Sequence, residues 1–129
     1  MERADVQRWL DAYVAAWKSY DSNLIAALFA EDVEYRYHPY DEPIRGRDAV
    51  VAAWLGEGDQ EVASSRDEPG TYDASYRPVA VDGDVAVAVG ASTYENPPAV
   101  YDNCYLLRFD ADGRCAEFTE FFMKRPETE

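Results

Sequence analysis

Val6, Trp9, Leu10, Tyr13, Val14 and Trp17 recur at i, i+3, i+4, i+7, i+8 and i+11 along the chain. That is one apolar stripe on a 3.6-residue period, so the pattern predicts an amphipathic first helix. Asp5 falls in its first turn, where a negative charge complements the helix dipole. Asp21 or Ser22 caps a second, shorter helix carrying Leu24, Ile25, Leu28 and Phe29. The period then changes. Val33, Tyr35 and Tyr37 alternate with Glu34, Arg36 and His38, which predicts a strand with one polar face. Pro39 ends it, because proline has no N–H to donate and restrains the residue before it.

Residues 43–46 read as a turn, and residues 47–55 as a third helix with Val50, Val51 and Trp54 facing inward. Residues 56–70 are polar and glycine-rich, a loop long enough to suspect a functional role or disorder. Everything after Thr71 reads as strand. Asp82-Gly83 is a hairpin signal, 110–113 is a four-residue equivalent, and Pro97-Pro98 forces another reversal. Four consecutive antiparallel strands follow, near 71–81, 85–95, 100–109 and 114–124.

Helices first and an antiparallel sheet afterwards predict a single α+β domain over residues 1–129, with the helices on one sheet face. Pairing the last two strands across 110–113 sets Tyr105 opposite Phe118, Asn103 opposite Glu120 and Tyr101 opposite Phe122 on one face. The other face pairs Arg108 with Cys115, Leu106 with Glu117 and Asp102 with Phe121. A bulge near the loop shifts this register by one and inverts the faces. Both faces hold large apolar groups and the helices cover only one, so Leu106, Phe121 and Met123 predict a homodimer. In this register Cys104 and Cys115 lie on the outer face, too far apart along the hairpin for a bridge, and read as free thiols.

Composition narrows the function classes. Twenty-six acids against twelve bases give a net charge of −14, which argues against nucleic acid and against an anionic membrane surface. No stretch approaches a membrane span, and the first residues lack the apolar core of a signal peptide, so the expected location is cytoplasmic. Ten tyrosines, three tryptophans and five phenylalanines suit either a cavity or a tyrosine-rich core. One histidine and two cysteines make no recognisable zinc site, and no glycine-rich phosphate loop opens a helix. The expectation is a chain that works without a cofactor.

Four stretches carry a family resemblance: Tyr13-Val14-Ala15-Ala16-Trp17 through Asp21, Leu28 to Val33, Gly46 to Val50, and Tyr105 to Cys115. In these the chain resembles the nuclear transport factor 2-like superfamily, also called SnoaL-like or ketosteroid-isomerase-like. The resemblance implies a cystatin-like cone, a curved antiparallel sheet around a pocket plugged by the first helix. Ketosteroid isomerase uses a helix-1 tyrosine as oxyanion donor, and Tyr13 stands at the matching spacing before Asp21. Its general-base aspartate precedes a proline, where this chain has His38, and its neutral donor aspartate corresponds to Tyr105. The stretch from Asp32 to Pro39 is also one residue longer, which turns His38 the other way. Two of three positions differ in type, so isomerisation by that carboxylate pair is not implied.

Glu120 is the sharpest local signal, a carboxylate on one strand face with Ala116, Phe118 and Phe122. Desolvation there raises its pKa toward neutrality, as a general acid or base requires. Alternatively, a hydrogen bond from Asn103 simply holds it. His38, the lone histidine, is either a proton carrier or an exposed polar side chain. Tyr13 and Tyr105 either donate to a ligand or bond within the core. Trp17, Trp54, Asn103, Phe118 and Phe122 are the expected substrate-contacting residues, with Trp17 and Trp54 equally suited to core packing. Two functions fit. One is a cofactor-independent isomerase, cyclase or dehydratase that moves protons on a small, apolar molecule. The other is a non-catalytic dimeric ligand-binding protein.

Overall fold

In the computed structural model, which describes residues 1–56, 67–95 and 97–126, helix α1 (Arg3–Ser19) buries Val6, Trp9, Leu10, Tyr13 and Ala16. Asp5 starts it by a capping box, its carboxylate accepting from the Glu2 N–H at 2.8 Å. Helix α2 (Ser22–Leu28) is capped by Asp21, whose Oδ1 accepts from the N–H groups of Asn23 and Leu24 at 2.8 and 3.2 Å. The Trp9 indole N–H donates to the Leu28 carbonyl at 2.9 Å and pins the end of α2 to α1.

Phe29 belongs to strand rather than helix: β1 runs Phe29–Arg36 and sends Phe29, Val33 and Tyr35 inward. Of the expected turn at 43–46, Ile44–Arg45 form a short strand β2, because Ile44 and Arg45 ladder onto Tyr35 and Glu34. Helix α3 (Arg47–Trp54) buries Val50, Ala53 and Trp54. The remaining strands are β3 (Tyr72–Asp82), β4 (Val85–Glu95), β5 (Pro98–Phe109) and β6 (Cys115–Lys124). Most of the expected 56–70 loop lies outside the described residues.

The architecture is α+β, three helices packed on a six-stranded sheet of order β2-β1-β6-β5-β4-β3. The sheet is mixed, not purely antiparallel. β1 lies parallel to β6, with Tyr35 beside Phe118. β5 already occupies one edge of β6, and the other edge takes β1, whose backbone groups need partners on both sides.

The β5–β6 register is offset by two residues from the expected one: Tyr105 stands opposite Glu120, Leu107 opposite Phe118 and Asn103 opposite Phe122. Two single-residue irregularities add up to this offset. Phe109 pairs with Cys115 rather than Arg114, and a bulge between Arg108 and Phe109 takes up one more residue of β6. Their parities cancel, so Tyr105, Asn103, Phe118 and Glu120 stay on the inner face as expected. The bulge does relocate Cys115. It is fully buried beside the equally inward Ala116, which corrects its expected outer position, while Cys104 is partly buried. Both are free thiols.

Gly90 lies opposite Tyr76 on the neighbouring strand. A Cβ there would come within 2.0 Å of the Ser75 carbonyl oxygen and 2.8 Å of the Tyr76 Cα. Only glycine allows β3 that close, and the contact holds Tyr76 against the interior. No helix among the described residues is long and apolar enough to cross a membrane.

Candidate functional site

Side chains of the inner sheet face, α1 and α3 line a cavity of about 520 Å³. Strand alternation builds its walls. Tyr35 and Tyr37 come from β1 and its extension, Tyr76 from β3, Ser92 and Tyr94 from β4. Tyr101, Asn103 and Tyr105 come from β5, and Glu120, Phe122 and Lys124 from β6. Tyr13 and Trp17 project from α1, and Trp54 from α3. Among the described residues, eleven of the eighteen in the lining are aromatic. The volume is that of a small organic ligand, for which pockets run about 300–1,000 Å³.

Glu120 sits in this wall directly opposite Tyr105. Its Oε2 accepts from Asn103 Nδ2 at 3.1 Å, and Asn103 Oδ1 in turn accepts from the Ser92 hydroxyl at 3.1 Å. Ser92 and Asn103 are the buried polar residues among those described. Burial pushes the Glu120 carboxyl up to about 7, against smaller opposing effects from Asn103, the His38 charge and Tyr105. The group therefore changes charge near neutrality, where a proton donor or acceptor is most effective.

Three tyrosines face it as a cluster. Ring centroids of Tyr13 and Tyr105 lie 5.8 Å apart, Tyr13 and Tyr76 6.1 Å, and Tyr76 and Tyr105 5.0 Å. Burial drives the hydroxyls of Tyr13 and Tyr105 well above the ordinary tyrosine value, and Tyr76 to about 12. All three keep their protons at neutral pH and are available as hydrogen-bond donors, not as bases.

At another part of the wall Asp67 meets Trp17 and Tyr20. Its Oδ2 accepts from the Trp17 indole N–H at 2.9 Å and from the Tyr20 hydroxyl at 3.3 Å, while the Asp67 N–H donates to the Tyr20 oxygen at 2.8 Å. Tyr20 closes α1 in the left-handed region at φ 51°, uncommon for a bulky residue.

A family model for the SnoaL-like domain matches residues 10–118, which includes most of α1 and every strand through Phe118. The chain belongs to the SnoaL-like family. Solved structures carry the same fold. A candidate ketosteroid isomerase from Kribbella flavida DSM 17836 superposes with a TM-score of 0.67 at 21% identity, over 98% of this chain and 84% of that one. An LEH-like epoxide hydrolase from M. tuberculosis gives 0.65 at 16%, over 95% and 86%. An NTF-2 like protein of unknown function from Burkholderia xenovorans LB400 gives 0.68 at 17%, over 98% and 88%. At these identities the likeness is one of fold. No curated protein matches the sequence.

The SnoaL-like cavity brings together Tyr13, Trp17, Trp54, Asn103, Tyr105, Glu120 and Phe122 of the nine residues singled out from sequence. Phe118 is not in the lining. It is fully buried, stacked on Tyr35 at 4.3 Å and on Tyr13 at 5.7 Å, and supports the wall from behind. His38 is outside the lining as well. Tyr35 and Tyr37 take the inward positions, so the next residue turns away. Its ring packs between Tyr40 and Phe122, each 5.1 Å distant, with Nδ1 2.9 Å from Asp41 Oδ2.

Tyr76, Ser92 and Tyr94 were missed although strand alternation places them. Tyr94 and Ser92 share the parity of the buried Ala86 and Ala88, and Tyr76 that of Tyr72. Asp67 carried no such signal, since it lies outside any periodic element. Among the described residues no three His, Cys, Asp or Glu side chains are grouped to hold a metal ion.

Proposed function

We propose that this SnoaL-like protein is a cofactor-independent proton-transfer enzyme acting on a small, largely apolar molecule that carries a carbonyl. The observation that carries the proposal is Glu120, poised near neutrality in an aromatic wall and aligned by the Ser92–Asn103 relay. Ionised Glu120 takes a proton from carbon next to the carbonyl. The electron pair moves onto oxygen, and the Tyr13 or Tyr105 hydroxyl donates to the resulting enolate. Glu120 then returns the proton to another carbon of the same molecule, which leaves the protein unchanged. His38 acts here through its charge on Glu120 rather than as a second proton carrier.

The test is deuterium uptake from D2O at the α-carbon of cyclic enones, followed by NMR. Wild type is expected to accelerate uptake with a rate that rises through pH 7. Glu120→Gln is expected to lower the rate by about 100-fold or more, the scale of general-base catalysis. Equal uptake by the two proteins would exclude Glu120 as the base. The ligand-holding reading draws support from His38, since its place outside the lining takes the expected second proton carrier out of the cavity. It predicts binding without uptake by either protein.

The proposal includes a homodimer. Val85, Leu106, Phe121 and Met123 are 43%, 43%, 38% and 75% exposed. All lie on the face of β4, β5 and β6 that the cavity does not use. The free thiols fit a reducing, cytoplasmic setting.

A further inference from the structure

Asp67 is a carboxylate in an aromatic wall whose hydrogen-bond partners among the described residues, Trp17 and Tyr20, are neutral. Both of those contacts fall on Oδ2, and among the described residues none donates to Oδ1. The ring faces around it belong to Trp17, Tyr20 and Tyr94, with Trp17 and Tyr94 centred 6.1 Å apart. Trp17 is further fixed by Tyr72, whose ring lies tilted by 35° against it at 4.6 Å and whose hydroxyl donates to the Trp17 carbonyl at 2.8 Å.

From this geometry we infer that the cavity takes a ligand with a cationic nitrogen, held by Asp67 and the rings of Trp17, Tyr20 and Tyr94, with its apolar body extending toward Glu120. A cation over aromatic faces is attracted by the ring quadrupoles, and most strongly by tryptophan. A carboxylate alongside adds a charge-assisted hydrogen bond, which Oδ1 can accept. The field in the cavity agrees. After burial, the charges of Asp67 and Glu120 both push the Tyr94 hydroxyl upward, so the negative potential of the two carboxylates overlaps at that ring. The one cation in the described lining is Lys124, exposed near the end of β6 opposite Tyr101. Lys18 is taken up by an ion pair with Asp73 at 2.6 Å. Among the described residues no cation pairs with Asp67, so a neutral or anionic ligand would supply none there and would gain nothing from the ring faces.

This inference rests on the cavity being a ligand site and not on turnover. The test compares three probes by quenching of tryptophan fluorescence: 2-phenylethylammonium, whose N–H groups can reach Oδ1, its neutral isostere 2-phenylethanol, and 3-phenylpropanoate. Wild type is expected to bind the ammonium at least about tenfold more tightly than the isostere, and the carboxylate most weakly. Asp67→Asn keeps an oxygen for Trp17, and is expected to cut the preference to about twofold with isostere affinity unchanged. Equal binding of ammonium and isostere by wild type overturns the cationic preference and leaves the cavity as a ligand site. A preference that survives Asp67→Asn overturns the role of Asp67. Failure of all three probes to bind at millimolar concentration overturns the ligand site itself. If Asp67→Asn does not fold, the wild-type order of the probes decides.

Discussion

Glu120 ties stability to pH through one proton. Its carboxyl is raised to about 7 in the folded chain by burial, whereas the unfolded chain holds it near the ordinary value of about 4.3. Between these values the folded state keeps a proton that the unfolded state releases, so stability falls as pH rises through that window and then levels off. Glutamine cannot ionise and escapes this loss. Glu120→Gln is therefore expected to gain stability relative to wild type between pH 5 and pH 8. The gain is about 2 kcal/mol once contact with cavity water is allowed for. Thermal unfolding of the two proteins at both pH values checks this, and a constant difference would mean that Glu120 stays ionised throughout. The identity of this residue was legible because a lone acid on an apolar strand face is conspicuous. The expected partner Asn103 was found for a different geometric reason: it is a diagonal neighbour, and Tyr105 stands directly opposite. His38 shows the converse. Its chemistry drew attention, but the alternation of Tyr35 and Tyr37 decided where it points.

At the scale of elements, periodicity was enough to find helices and long strands, since each buries a continuous stripe. It could not find β2, because two residues have no period. The parallel pairing of β1 with β6 was also illegible, as the partners are about eighty residues apart and no turn between them dictates register. The face assignment of β5 and β6 survived a two-residue register error only because bulge and loop each contributed one. The β3–β4 ribbon offers a direct test. Gly90→Ala places a methyl group against the Ser75 carbonyl and the Tyr76 backbone. Backbone cannot swing aside as a side chain can, so we expect a loss of about 1–3 kcal/mol by chemical denaturation. Tyr76 is expected to move with β3, which would weaken binding in the cavity. Unchanged stability would mean that the two strands are free to separate there.

For the molecule as a whole, the aromatic content was compatible with a cavity or with a tyrosine-rich core, and the structure contains both. The aromatic residues are split between a packed layer around Phe29, Phe109 and Phe118 and the tyrosines that line the cavity. Composition alone cannot divide the two populations, since both need rings on the inner face. The outer face makes the remaining prediction. Phe121→Lys combined with Met123→Lys puts charge at the centre of the exposed patch, and is expected to convert a dimer to a monomer in light scattering at micromolar concentration. A wild type that is already monomeric would reject the proposed pairing.

The parallel seam between β1 and β6 also sets when the cavity can close during synthesis. β1 emerges from the ribosome early, yet its partner is the last of the described strands. Until β6 arrives, the aromatic side of β1 has no neighbour on that edge, and the wall that bears Glu120 does not exist. Seams of such long separation close slowly, because the chain entropy is lost before the contacts form. A nascent chain lacking β6 would thus carry Tyr13, Trp17 and Tyr76 with nothing to enclose, a stage at which chaperone capture competes with self-assembly.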